Sequence, residues 1–256
     1  MFDTLPQRAS AVDACMARLR DAILEGRIAI GDRLPPERDL AATFGVNRVT
    51  VRSALGRLAS LGLVTVRQGS GYVVRDFRRV GGPDLAGALC ELARKNGALA
   101  PIARDLLFVR SCLAEGVLRR LAEARPSDAA IGRIAEAVDA FAARASEGAT
   151  AAEIAALDLE VLGLVLDATE SPVLRLFLNP VTSLLADLPE LVGALYARPE
   201  RNVLAYRALL AWLASPSPDL VGPIVAAMRA RDEEALAMLN PTRKKTTPSR
   251  TPRRTS

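Results

Sequence analysis

The chain contains no histidine, and only 4% of its 256 residues are aromatic. Without imidazole no nucleophile–histidine pair can form, so acid–base chemistry is left to carboxylates and lysine. Cysteine is scarce as well. Cys15, Cys90 and Cys112 are odd in number and widely spaced, with neither metal-ligand spacing nor a disulfide framework. All three fall in helix-like, apolar surroundings and read as reduced core thiols, which points to a cytoplasmic compartment. No run of about 18 apolar residues could span a bilayer. The opening MFDTLPQRAS lacks the basic and apolar regions of a secretion signal. No glycine-rich phosphate loop is evident, and the expectation is a protein that is not an enzyme.

Aliphatic residues are abundant. Half the chain is hydrophobic, so a sizeable core is expected. With so few aromatics it must be rich in Leu, Ala and Val, which suits packed helices better than a sandwich or barrel. Charge is unevenly spread. Residues 1–80 hold 13 Lys/Arg against 8 Asp/Glu, residues 81–240 hold 15 against 21, and the last 16 hold six basic groups and no acid. A basic first part on an acidic middle suggests a nucleic-acid reader joined to something that does not touch nucleic acid.

In the first part, Val12, Cys15, Met16, Leu19 and Ile23 recur at helical spacing over Ala9 to Glu25, and Gly26 stops that helix. Gly31-Asp32 makes a turn. Pro35-Pro36 suits the first turn of a second helix, which Gly45 closes after Phe44. Asn47 occupies the N-cap position of a third helix. That helix buries Val51, Leu55, Leu58 and Leu61, places Arg48, Arg52, Ser53 and Arg57 on other faces, and ends at Gly62. Alternation at Val64 and Val66, and again at Tyr72 and Val74, with Gln68-Gly69-Ser70-Gly71 between, predicts a two-stranded wing.

This order is a winged helix-turn-helix, in which the second helix of the pair enters a major groove by its N-terminal residues. Arg48 and Arg52, four apart, share one face near the amide-rich end of that helix. Each guanidinium can pair with guanine O6 and N7, a contact worth about 1–3 kcal/mol of discrimination. Thr50 can touch a thymine methyl or a phosphate, Arg38 a phosphate or the groove edge, and the Gln68-Gly69 tip a minor groove. Arg57 reads as a solvated helix position.

Residues Pro35 to Leu40, Gly45 to Arg48, Val51 to Leu58, Gly62-Leu63 and Gly69 to Gly71 together resemble the GntR family of bacterial transcription regulators. The resemblance covers about residues 10–76. It implies DNA contacts by Arg38, Arg48 and Arg52, with Gln68 and Gly69 in a minor groove. Pro36 departs from the family's usual Ser or Ala, which stiffens the helix start without removing a contact.

FRRVGGPD, from Phe77 to Asp84, reads as a linker. Beyond it, breaks at Asn96-Gly97, Arg125-Pro126-Ser127, Glu147-Gly148, Ser171-Pro172, Arg198-Pro199 and Ser215 to Pro218 delimit six or seven helices over residues 85–240. Pro223 falls in the first turn of the last helix, where it costs little. The basic segment 241–256 has no aliphatic or aromatic residue and is expected to be disordered. The expected architecture is mainly α: a winged domain over residues 9–76 and an all-α bundle for effector binding and dimerisation.

The bundle resembles the effector-binding domain of the FadR subfamily at Phe108-Val109-Arg110, around Asp158 and at Ala168 to Pro172. Leu178-Asn179 and Pro199-Glu200 are similar to its fatty-acyl-responsive branch. Many members of that subfamily bind a divalent ion through the aspartate and three histidines. Here the position four after Asp158 is Leu162, Tyr206 lies near another ligand position, and histidine is absent, so the expectation is no metal and no cofactor. Tyr196, Tyr206 and Trp212, on nearby helices of a Leu/Val-lined pocket, suit an acyl chain, Arg110 could clamp a carboxylate, and Asp158 is a weaker candidate contact. An acyl-CoA or another apolar acid is the first expectation, acting on a homodimer that binds a near-palindromic operator. An effector-free architectural DNA protein and an enzyme docked by its winged domain are the alternatives.

Overall fold

The computed structural model describes residues 11–67, 71–186 and 188–239. Its elements run α1 (Ala11–Leu24), α2 (Glu37–Phe44), α3 (Arg48–Ser60), β1 (Val64–Arg67), β2 (Gly71–Val74) and α4 (Phe77–Val80). A 3-10 turn at Pro83–Leu85 leads to α5 (Ala86–Lys95), α6 (Leu99–Glu123), α7 (Asp128–Ser146) and α8 (Ala151–Asp167). Then follow α9 (Pro172–Ala186), α10 (Pro189–Leu195), α11 (Pro199–Ala214) and α12 (Val221–Leu239). The chain is mainly α, with a small winged helix-turn-helix at its start. It divides after Leu106, Val161 and Leu188 into two compact units. Residues up to Leu106 with 162–188 form the first, and residues 107–161 with those from Pro189 onward form the second.

In the first unit, Val51, Ala54, Leu55 and Leu58 of α3 are fully buried against Cys15, Leu19 and Ile23 of α1 and Leu40 of α2. Each large side chain among them contributes about 1.5–3 kcal/mol by leaving water. Leu61, expected in that core, is only partly buried at the helix end. Two glycines make the tight joints. Gly45 (φ 65°) returns its amide to Ala41 and Ala42 at the end of α2. Gly62 (φ 75°) turns the chain into β1, and a Cβ there would lie 2.8 Å from the Val80 carbonyl oxygen. Strands β1 and β2 pair antiparallel with Val64 opposite Val74 and Arg67 opposite Gly71. The far edge of β2 is covered by the segment before α2, where Leu34 donates to the Tyr72 carbonyl and Val74 donates to that of Asp32, both at 2.9 Å.

Several details differ from the sequence expectations. Pro36 sits at the N-cap of α2 with ψ 147°, so the helix starts at Glu37 rather than within the prolines. The expected linker is partly helical: Asp76 caps α4 through its side chain, and Phe77 and Leu85 join the core of the winged part. Helix α5 is tied to α1 by Arg20 with Glu91 and by Lys95 with Asp21, at 3.3 and 3.5 Å. Residues 85–95 therefore pack with the first unit. Cys15 and Cys90 are buried, and burial pushes both thiols up, whereas Cys112 is exposed on α6. An extra break at Leu188-Pro189 separates α9 from α10, and Pro180 lies inside α9. Pro223 does fall in the first turn of α12. The wing tip and the basic tail lie outside the described residues.

The second unit places Phe141 and Ile134 of α7, Ile154 and Val161 of α8, Leu213 of α11 and Val225 and Leu236 of α12 in its interior. Ser127 caps α7 by accepting from the Ala130 amide. Phe141 meets Tyr206 edge to face, with ring centroids 5.7 Å apart.

Candidate nucleic-acid interface and effector site

Asn47 sets the start of α3. Its Oδ1 accepts from the Thr50 amide at 2.8 Å and from the Thr50 hydroxyl at 3.0 Å, so the asparagine is a cap and the threonine hydroxyl is already engaged. Arg48 follows the cap directly and is exposed; among the described residues it has no ion-pair partner. Arg52, one turn on, is exposed too, but Glu37 of α2 holds it. The Arg52 Nε reaches both Glu37 oxygens at 3.1 Å and Nη2 reaches one at 2.7 Å.

That clamp occupies the Nε edge of the guanidinium and leaves the Nη1/Nη2 end available for two parallel bonds. It also lowers the Glu37 pKa, chiefly through the hydrogen bond from Arg52, and raises that of Arg52. Arg38 is exposed, and among the described residues its ion-pair partner is its neighbour Asp39, at 3.1 Å. Arg57 pairs with Asp13 of α1 and serves the packing of the two helices. Gln68 and Gly69 lie outside the described residues. Arg38, Arg48 and Arg52 thus occupy exposed positions on two consecutive helices of a winged fold.

The polar residues singled out in the helical part also gather. Tyr206 of α11 donates to Asp158 of α8 at 2.6 Å, and both are buried. Tyr196 lies against the same carboxylate. Burial first, and the Asp158 charge second, hold both phenols well above their ordinary pKa. Arg110 of α6 pairs with Asp232 of α12 at 2.5 Å, its side chain 13% exposed. Burial opposes the Arg110 charge, but Asp232, with Asp158 and Tyr196, outweighs it and raises the Arg110 pKa. Burial likewise raises the Asp232 pKa, with Arg110 pulling against it. Arg110 Nε and Asp232 Oδ2 are buried without a partner. Trp212 stands apart, buried, with its indole N–H donating to the Ser217 carbonyl at 3.0 Å.

Asp232 was not anticipated, because it sits in the charged run RARDEE that reads as a solvated face. Its position, seven residues after buried Val225 on the inner stripe of α12, is the signal that could have revealed it.

A divalent ion does not fit this cluster. Asp158 is bound to Tyr206, Leu162 offers no donor atom, and the phenol is held protonated. Among the described residues no three His, Cys, Asp or Glu side chains come together as a metal site.

A basic, capped recognition helix on a winged fold, followed by an all-helical unit, defines a DNA-binding regulator. The comparisons narrow the class. Residues 12–74 match the bacterial regulatory proteins of the gntR family, and residues 105–223 match the FCD domain. The chain is 31% identical over 167 residues to the HTH-type transcriptional regulator LutR of Bacillus subtilis, covering 64% of this chain and 71% of that protein. It is 38% identical over 173 residues to the uncharacterized HTH-type transcriptional regulator Rv0494 of Mycobacterium tuberculosis, covering 67% and 66%. With Mce2R of the same species it shares 43% over 106 residues, only 41% of either chain. The alignments thus span about two thirds of the length of Rv0494 and two fifths of that of Mce2R. The structure of Lar from Listeria monocytogenes has the same fold, with a TM-score of 0.53 at 14% identity, covering 93% of this chain and 98% of that one. The chain belongs to the GntR family, with an FCD domain as its helical part.

Proposed function

We propose that the protein is an operator-binding transcription regulator that acts in the cytoplasm as a homodimer, with a winged reader over residues 9–76 and a dimerising effector part over residues 85–240. Arg48 and the free end of Arg52 read guanine edges in a major groove, and Thr50 offers its methyl group to a thymine. Arg38 holds a phosphate, Asn47 fixes the helix start, and Gln68 and Gly69 reach a minor groove. Two-fold protein symmetry matches a near-palindromic operator. The observation that carries the reading is the pair of exposed guanidinium groups in the first turns of a capped α3, one of them oriented by Glu37.

The effector is an acyl-CoA or another apolar organic acid, bound without metal near Asp158, Tyr196, Tyr206 and Arg110, with Trp212 supporting α11. The unpartnered Arg110 Nε is the donor that a carboxylate would satisfy. Binding there shifts the protein between arrangements with different operator affinity.

Footprinting with the full chain tests the first part: two symmetric protected half-sites are expected. Alanine at both Arg48 and Arg52 should abolish the preference for that site, at about 1–3 kcal/mol per lost contact, while weak salt-sensitive binding to any duplex persists. Retained site preference in the double variant would overturn the reading. For the effector, fluorescence anisotropy on labelled operator should show a shift with acyl-CoAs or organic acids.

A further inference from the structure

Helix α3 turns Val51, Ala54, Leu55 and Leu58 into the core, all fully buried. At about 100° per residue, the side of the helix opposite that stripe begins at Val49, its second residue. Val49 is 70% exposed. Its isopropyl group gains little from the fold, since a β-branched side chain left in water adds neither burial nor helix propensity.

Arg48 and Arg52 flank it on one side, both exposed, the second steered by Glu37. On the other side Thr50 is half-buried, and its hydroxyl is held by Asn47. Behind Val49 on the same face come Ser53 and Gly56, four and seven residues on and both exposed. A Cβ at Gly56 would meet nothing within 4 Å, so among the described residues no packing contact calls for glycine there. The outward face of α3 is thus an apolar knob beside two cations, with short residues behind it.

Among the bases that face a major groove, thymine alone carries a methyl group there. A valine laid over O6, N7 or an amino group would strip water from it and return no hydrogen bond. We propose that Val49 packs on the methyl group of a thymine beside the guanines read by Arg48 and Arg52, and so selects thymine at that base pair. The assignment rests on the operator reading of α3 and adds a contact distinct from that of Thr50.

The test uses a duplex enriched from a random pool by the full chain, with single thymines replaced by deoxyuridine, which removes only that methyl group. Fluorescence anisotropy at fixed salt is expected to show one thymine per half-site whose replacement weakens binding about fourfold, the transfer value of one methyl group. In Val49→Ala the same replacement should cost nothing further. In Thr50→Ser, which keeps the hydroxyl that Asn47 holds, it should cost the full amount. Because Val49 is exposed, alanine there should leave the melting temperature almost unchanged, so misfolding cannot mimic the result. A deoxyuridine penalty that survives in Val49→Ala at every thymine, or no penalty at any thymine, overturns the assignment while the operator reading stands. Failure of the pool to yield any preferred sequence overturns both.

Discussion

Two arginine–carboxylate pairs in this molecule have the same chemistry and opposite settings. Arg52 and Glu37 meet in water at the surface of the winged part, whereas Arg110 and Asp232 meet inside the helical unit. At the surface the pair orders a side chain while leaving its outer edge ready for exchange with a base or phosphate. Inside, each charge depends on the other, because neither has water to fall back on. A reader needs cations that are aimed but not consumed. A sensor core can hold polar groups in tension, with single atoms left open.

The comparison breaks most sharply at Asp232. Asp232→Ala strands the Arg110 charge and should destabilise the protein by about 3–5 kcal/mol in chemical denaturation, whereas pairing it with Arg110→Met should recover most of that loss. If the double variant is as unstable as the single one, the pair is not the coupled unit described.

An intermediate effect is expected at the reader's cap. Asn47→Ala removes the acceptor for the Thr50 amide and should cost about 1 kcal/mol of stability. It should also weaken operator binding more than that loss explains, since Arg48 follows the cap directly; titration of folded protein against labelled operator would show this.

The smallest effect is the pH response of the surface pair. Arg52 holds the Glu37 pKa below its unfolded value. Its contribution is therefore present above the ordinary carboxylate range and is lost as pH falls through the lowered folded value. The melting-temperature gap between the wild-type protein and Glu37→Gln should close on acidification and be small at neutral pH.

Much of the winged part was legible because its rules are local. Gly26, Gly45 and Gly62 end helices, Asn47 begins one, and the alternation at Val64–Val66 and Tyr72–Val74 makes the strands. The strap from Gly31 to Leu34 along β2 was not legible, since its bonds are backbone to backbone and leave no side-chain pattern. Nor was the packing of α5 on α1, which depends on charges some 70 residues apart, as between Arg20 and Glu91. In the helical part, aromatic and basic residues pointed to the Asp158 cluster, but the charged run RARDEE masked the place of Asp232 on the same helical stripe as Val225. The Leu188-Pro189 break was missed, although it carries a single proline just as the breaks at Ser171-Pro172 and Arg198-Pro199 do. Trp212 was grouped with the pocket by type, whereas its indole is spent on closing the turn at Ser217.

Gly62 has one further consequence. The carbonyl of Val80 rests where any side chain at that position would begin. The path out of the winged fold is therefore threaded under the far end of α3 with no slack, like a cord drawn tight through an eyelet. Displacement of the 77–80 helical turn must be felt at the foot of the recognition helix, and a single added methyl group at residue 62 would prise the two apart.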